Sequence, residues 1–178
     1  MLTPCDKSAQ SGFSLIELMI GIAILAILAS VAAPSFQVWL QNSQIRNAAE
    51  SIVNGLQRAR SEAVGRNTNM EFVLIGNDSS WVVRVAKGTV IEQRSSGEGS
   101  RNVTATPTPG TSNTVTYNSF GSILAINPVD GTAPFTRVDV DSAVLPAAES
   151  QELRITLGVG GNIRMCDPNV SPPNPRAC

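Results

Sequence analysis

The chain has 178 residues, enough for one domain with or without an appended segment. Its net charge is −1, from 13 basic and 14 acidic residues, so no overall field attracts nucleic acid or an anionic membrane. It contains no histidine, which excludes the Ser-His and Cys-His nucleophile pairs and removes the commonest metal ligand. We therefore expect a protein that is not an enzyme and that uses no cofactor or metal.

A long apolar run lies near the start of the chain. It covers residues 13–33, and from Leu18 to Ala33 the one polar side chain is Ser30. As a helix with a rise of ~1.5 Å per residue, the run would measure about 31 Å, which spans a bilayer core of ~30 Å. A secretory signal would end in a cleavage site, but here Pro34 follows and the helical pattern continues. The run predicts a retained membrane span over residues 13–36.

One carboxylate, Glu17, interrupts the apolar run near its start. Ser14 and Glu17 have the spacing of a capping box, in which each side chain accepts a hydrogen bond from the other residue's backbone N–H. A carboxylate in the first turn also suits the positive end of the helix dipole. The alternative interpretation is functional, because an acid placed in hydrocarbon requires a partner.

The residues around Glu17 resemble the processing signature of type IV pilins and pseudopilins, G-F-[ST]-L-[IV]-E. This chain has Gly12-Phe13-Ser14-Leu15-Ile16-Glu17 at that place. The resemblance implies that prepilin peptidase removes residues 1–12 as a leader by cutting after Gly12, and that the new amine of Phe13 is methylated. It also implies that Glu17 pairs in the filament with the Phe13 amine of a neighbouring subunit.

A helical periodicity continues over residues 37–66. The apolar positions fall three and four residues apart and form one stripe: Ile45, Ala48, Ala49, Ile52, Leu56, Ala59 and Ala63. Charged residues fill the other faces. The pattern predicts an amphipathic second half of the same helix.

Beyond residue 66 the periodicity changes to two, and no further helix is predicted. Strands are expected at Met70–Ile75, Trp81–Val85, Thr89–Arg94, Thr114–Tyr117, Ser122–Ala125, Phe135–Val140, Leu153–Leu157 and Asn162–Cys166. The Ser-, Gly- and Thr-rich segment 95–113, with Pro107 and Pro109, is expected to be a loop. We therefore predict an α+β fold, with a long N-terminal α-helix packed on an antiparallel β domain over residues 67–178.

The second half of the chain resembles the GspH/FimT branch of the type IV pilin family. The similar stretches are Leu56-x-x-Ala59-Arg60-x-x-Ala63, the Phe120-x-Ser122 region, and Gly160-Gly161-Asn162-Ile163-Arg164-Met165-Cys166. The resemblance implies the type IV pilin fold, a helix in the lipid of the bacterial inner membrane, and a periplasmic β domain. It also implies that the partners are other pilins or pseudopilins in a filament.

Three cysteines are present, of which Cys5 lies in the predicted leader. Cys166 and Cys178 remain as an even pair in a domain that the predicted topology places outside the cytoplasm, where a disulfide is expected. Two free thiols are the alternative.

Two other patterns are better explained without a ligand site. Asp139 and Asp141 share one face of a predicted strand, but the other ligands that calcium requires are missing, which favours a solvated face. Gly158-x-Gly160-Gly161 lacks the third glycine and the following helix of a dinucleotide-binding loop, so it is expected to be a turn.

The C-terminal segment 153–178 is mildly basic, with Arg154, Arg164 and Arg176 against one acid, Asp167. Some FimT-like proteins bind DNA through a C-terminal G-R-x-R, in which this chain retains Arg164 but has Asn162 in place of the first arginine. The alternative is that Arg154 and Arg164 are isolated arginines on solvated strand faces. DNA binding is therefore expected to be weak, nonspecific and salt-sensitive at most.

Three functions fit these patterns. The favoured one is a minor pilin that is incorporated into, or primes, a type IV pilus. The alternatives are the homologous minor pseudopilin H of a type II secretion system and a DNA-binding minor pilin of natural transformation. The cysteine pair and the Gly161-Asn162-Ile163-Arg164 stretch are more similar to FimT/FimU proteins of pili than to secretion pseudopilins.

Overall fold

The structure, a computed structural model, describes residues 12–178, so residues 1–11 of the predicted leader lie outside the described range. The described chain forms one helix, α1 (Leu15–Arg66), and eight strands: β1 (Met70–Leu74), β2 (Trp81–Val85), β3 (Val90–Arg94), β4 (Val103–Thr108), β5 (Thr114–Tyr117), β6 (Arg137–Ser142), β7 (Leu153–Leu157) and β8 (Ile163–Cys166). The chain divides into two compact units, Met1–Gln37 and Val38–Cys178.

The first unit holds the apolar half of α1. Every described residue from Gly12 to Gln37 is exposed, and α1 continues through Pro34 although proline removes a backbone hydrogen bond. The start of the helix is capped, because the backbone N–H of Glu17 donates to Ser14 Oγ at 3.3 Å. By length and composition alone, α1 could cross a membrane.

The second unit is built on the other half of α1. All seven positions of the predicted apolar stripe, from Ile45 to Ala63, are fully buried. They form one hydrophobic cluster with side chains of two antiparallel four-stranded sheets, ordered β3-β2-β1-β5 and β4-β6-β7-β8. Alternate residues of the strands enter this cluster, such as Met70, Phe72 and Leu74 of β1.

Seven of the eight strands lie at or close to their predicted positions, but two predictions are wrong. The segment that contains β4 is predicted to be a loop from its Ser, Gly and Thr content and its two prolines. It is instead an edge strand, where the N–H that Pro107 lacks does not interrupt a central ladder. Ser122–Ala125 is not a strand and keeps one isolated bridge, between Tyr117 and Ile123. The chain turns there because the Asn118 side chain binds two following N–H groups and Gly121 has a φ of +75°.

Gly55 lies within the buried stripe of α1, where the helix meets two aromatic rings. A Cβ atom at this position would stand 2.7 Å from Cε2 of Phe72 and 3.0 Å from the ring of Trp81. The Trp81 ring is held in place, because its Nε1–H donates to Ser51 Oγ at 2.8 Å. Packing therefore requires glycine at a position where helix propensity disfavours it.

We predict that Gly55→Ala lowers the free energy of unfolding by about 1–2 kcal/mol, because overpacking outweighs a gain of ~1 kcal/mol in helix propensity. Gly65→Ala is the matched control in the same helix, since nothing lies within 4 Å of the Cβ that it adds. The control should be neutral or slightly stabilising. Urea unfolding gives the free energy of unfolding of both variants. Equal values for Gly55→Ala and Gly65→Ala would contradict the role of packing at Gly55.

Candidate functional site

The first candidate site is the start of α1. Phe13 and Glu17 line one groove on the helix surface, together with Leu18, Gly21, Ile22 and Leu25. Glu17 is the one ionisable side chain between residues 12 and 37, and it makes no salt bridge within the described part of the chain. The surface is thus apolar apart from one carboxylate, which needs a positive partner from another molecule if it is buried.

The second candidate site is the C-terminal tail, which is closed by a disulfide. Cys166, at the end of β8, is joined to Cys178 with a Cα–Cα distance of 5.1 Å. The Nη2 of Arg164 donates to the carbonyl oxygen of Ala177 at 2.7 Å, and the N–H of Asp167 donates to that of Arg176 at 2.7 Å. Arg164, a predicted DNA contact, therefore has a structural partner inside the chain.

Arg154 lies on the neighbouring strand β7, but it is not the isolated arginine that the sequence suggests. Its Nε donates to Oδ1 of Asp139 at 2.6 Å, and its Nη2 lies 3.8 Å from Glu152. Arg137 pairs with the other oxygen of Asp139 at 3.0 Å. Burial, and then the negative charges of Asp139 and Asp141, raise the pKa of Glu152. Arg154 is thus surrounded by acids and poorly placed to contact a phosphate.

The two aspartates considered for calcium are engaged within the chain. Asp139 is shared by two arginines, and Asp141 accepts a hydrogen bond from Ser150 Oγ. Over residues 12–178, no group of three or more His, Cys, Asp or Glu side chains that could hold a metal ion is found. Both carboxylates therefore have partners inside the chain.

Arg176 has different surroundings from the other two predicted arginines. With Arg46 of α1 it lines a cleft of about 110 Å³, whose apolar wall includes Leu153 and Met165. The one acid in the lining is Asp167. The three arginines therefore do three different things: Arg154 is ion-paired, Arg164 fastens the tail and Arg176 lines a cleft.

Arg60 has a structural role that the sequence did not reveal. Its Nε donates to the carbonyl oxygen of Gly121 at 3.0 Å, and its Nη2 to that of Gly160 at 3.4 Å. It thereby joins two turns, residues 118–121 and 158–161, to α1. The sequence shows Arg60 only as part of the family-like stretch Leu56-x-x-Ala59-Arg60-x-x-Ala63. Its two acceptors lie 61 and 100 residues further along the chain, so no local pattern predicts these hydrogen bonds.

Comparisons with protein families and with known proteins all find pilin-type proteins. The model of the prokaryotic N-terminal methylation motif matches residues 7–33, and that of the type II transport protein GspH matches residues 48–171. A fimbrial protein of Moraxella nonliquefaciens is 36% identical over 93 residues, 48% of this chain and 57% of that protein. The type IV major fimbrial protein FimA of Dichelobacter nodosus is 54% identical over 39 residues, 22% of this chain and 25% of that protein. The chain thus spans at most 57% of the length of these two relatives.

A comparison with solved structures confirms the predicted fold. The crystal structure of the type IV minor pilin FimU of Pseudomonas aeruginosa aligns with a TM-score of 0.54 over 76% of this chain and 97% of FimU, at 16% sequence identity. At this identity the similarity concerns the fold: a long N-terminal helix packed on antiparallel sheets.

We predict that Cys178→Ser lowers the free energy of unfolding by about 3 kcal/mol, because the disulfide restricts the unfolded chain. A reducing agent should have a similar effect on the unmodified protein and none on the variant, which controls for the substitution itself. Denaturant unfolding of the unmodified protein and of Cys178→Ser, each with and without reductant, gives the free energies to compare. Two free thiols in exported protein, found by non-reducing mass mapping, would contradict the prediction.

We predict that the unit of residues 38–178 binds DNA weakly and nonspecifically at most, and at low salt only, because few cations are available to phosphate. Arg176→Gln should weaken this binding more than Arg154→Gln, which serves as the control because acids already neutralise Arg154. Gel-shift titrations at low and physiological salt measure the effect. Micromolar binding that persists at physiological salt and is lost in Arg164→Gln would contradict it.

Proposed function

Because the chain belongs to the family of the type II transport protein GspH, which consists of structural pilin-like proteins and not of enzymes, we propose that it is a minor pilin of a type IV pilus. It acts as a structural component or assembly primer of the filament and catalyses no reaction. The observation that carries the proposal is the helix α1, which has an exposed apolar half with one carboxylate and a second half whose apolar stripe is buried in a domain with the FimU fold.

Processing and location follow from the start of the chain. Prepilin peptidase cuts after Gly12 and methylates Phe13, and the apolar half of α1 then holds the subunit in the lipid of the inner membrane. The β-rich unit lies in the periplasm. The disulfide between Cys166 and Cys178 supports this location, because such bonds persist in oxidising compartments.

Filament assembly uses the groove that contains Phe13 and Glu17. When helices of neighbouring pilin subunits pack together, the groove is removed from water. An uncompensated charge costs several kcal/mol in such surroundings, so the Glu17 carboxylate accepts a hydrogen bond from the methylated, positively charged Phe13 amine of a neighbour. The pairing explains an acid on an otherwise apolar surface.

A second candidate function is that of minor pseudopilin H in a type II secretion system. It is supported by the description of the matching family model, which names a type II transport protein. The third, DNA uptake, has less support because Arg154 is ion-paired and Arg164 binds the tail.

Deletion of the gene in its native host, followed by complementation, tests the proposed function. We expect loss or reduction of surface pili with normal secretion of folded proteins. Sheared pili should contain this chain, beginning at methylated Phe13 by mass spectrometry. Normal pili with defective secretion would establish the pseudopilin instead, and a cut after Ala33 would contradict pilin processing altogether.

We predict that Glu17→Ala inserts into the membrane at normal levels but is depleted about tenfold or more from filaments, because the amine of a neighbour loses its counter-charge. Ser14→Ala is the control, since it removes the helix cap and keeps the carboxylate. Immunoblots of membranes and purified filaments compare the two. Equal depletion of both variants would show that Glu17 acts only as part of the cap.

A further inference from the structure

The cleft beside the C-terminal tail is lined by two arginines whose charges are not neutralised within the described chain. Arg46 comes from α1 and Arg176 from the tail, and neither guanidinium has a hydrogen bond or an ion pair among residues 12–178. Glu50, one helical turn after Arg46, forms no ion pair with it. We call this space, bounded by Arg46, Arg176, Leu153 and Met165, the arginine cleft.

The walls of the arginine cleft are fixed by hydrogen bonds. On one side, Asn42 Nδ2 donates to the carbonyl oxygen of Glu149 at 2.9 Å, and Asn42 Oδ1 accepts from the N–H of Gln151 at 2.9 Å. On the other side, the N–H of Asp167 donates to the carbonyl oxygen of Arg176 at 2.7 Å, and the disulfide closes the tail behind it. A cleft with fixed walls loses little conformational entropy when a ligand enters.

The lining of the arginine cleft has a net positive charge. It contains two arginines and one acid, Asp167. Oδ1 of Asp167 accepts a hydrogen bond from the N–H of Asn169 at 2.9 Å, and its carboxylate pairs with neither arginine in the described chain. Two guanidinium groups that line one small space repel each other, and an anion between them removes this repulsion and accepts charge-assisted hydrogen bonds. The arginine cleft therefore suits an anion.

The size and the apolar wall of the arginine cleft select among anions. Its volume is about 110 Å³, against roughly 300 Å³ or more for pockets that hold drug-sized ligands, so it admits a group the size of one side chain. Leu153 and Met165 offer apolar surface to methylene groups. Phosphate has no methylene group, and Asp167 disfavours its second negative charge. These features indicate a carboxylate on a short aliphatic stem.

We propose that the arginine cleft is a binding site for a carboxylate on a short aliphatic stem, the chemistry of a glutamate side chain. The carboxylate accepts hydrogen bonds from the guanidinium groups of Arg46 and Arg176, and the stem packs against Leu153 and Met165. A glutamate of a neighbouring subunit and a free small carboxylic acid share this chemistry. Binding to the purified chain is independent of the proposed function, and only the first of these two sources rests on it.

Binding is tested on the purified full-length chain in detergent, with N-acetylglutamate amide as the probe. The chain has four methionines, of which Met165 lines the cleft and Met70 is fully buried in the core. The NMR signal of the Met165 methyl group should shift with a dissociation constant of about 1 mM, while that of Met70 stays in place and shows that the fold is intact. The neutral N-acetylglutamine amide and inorganic phosphate should each bind about tenfold more weakly or worse.

Three variants assign the binding to the two arginines. Arg46→Gln and Arg176→Gln should each raise the dissociation constant of the probe about tenfold, because each removes a charge-assisted hydrogen bond. Lys87→Gln is the control, since Lys87 is an exposed cation that lines a separate hollow with Asn67, just beyond the end of α1. Equal binding of the glutamine probe, tighter binding of phosphate, or unchanged affinity in both arginine variants would overturn the proposal.

The source of the carboxylate is tested in filaments from the native host, with p-benzoylphenylalanine in place of the exposed Gln151 at the cleft. A photo-crosslink to a glutamate-containing peptide of another subunit identifies that subunit as the source. Binding of the probe to the purified chain without such a crosslink supports the site and assigns it to a free carboxylic acid. If the unmodified chain is absent from filaments, the proposed function fails while the result on the purified chain stands.

Discussion

The contact between the small side chains of α1 and the two sheets is the constraint on which the β-rich unit depends. Each sheet has one apolar face, and neither face can remain in water. The stripe on α1 joins both faces in one cluster because alanines and Gly55 allow the strands to approach the helix. The rings of Phe72 and Trp81, 5.7 Å apart, fill the space that Gly55 leaves.

The burial of α1 differs between its two halves in a way that composition alone explains. The half before Val38 is apolar on all sides, as expected for a helix surrounded by lipid or by other helices, and it is exposed throughout. The half after it has one apolar stripe and buries that stripe together with Ser51 and Gly55. The chain by itself thus buries the apolar stripe of the unit Val38–Cys178. The apolar side chains of residues 12–37 stay exposed and need a membrane or neighbouring subunits to cover them.

Periodicity explains which parts of this architecture could be predicted from the sequence. The stripe of α1 and seven strands have regular local patterns, so the sequence predicts each of them. β4 was missed because Pro107 is tolerated only at a sheet edge, and edge position is decided by pairing with residues far along the chain.

The same limit applies to the candidate sites. Glu17 and the cysteine pair are visible in the sequence as residue types in an unusual context. The pairing of Arg154 with Asp139 depends on the register of β6 against β7, and the role of Arg60 depends on two distant turns. Such contacts exist only once the tertiary structure has formed.

Both edges of the sheet β4-β6-β7-β8 are poorly suited to pair with a further strand. On one side β4 carries Pro107, which offers no N–H. On the other side the chain after β8 folds back on itself, with a bridge between Asp167 and Ala177 and a disulfide behind it. Exposed edges are where crowded proteins aggregate by sharing ladders. The sheet β4-β6-β7-β8 therefore offers little open ladder to a second copy of the chain.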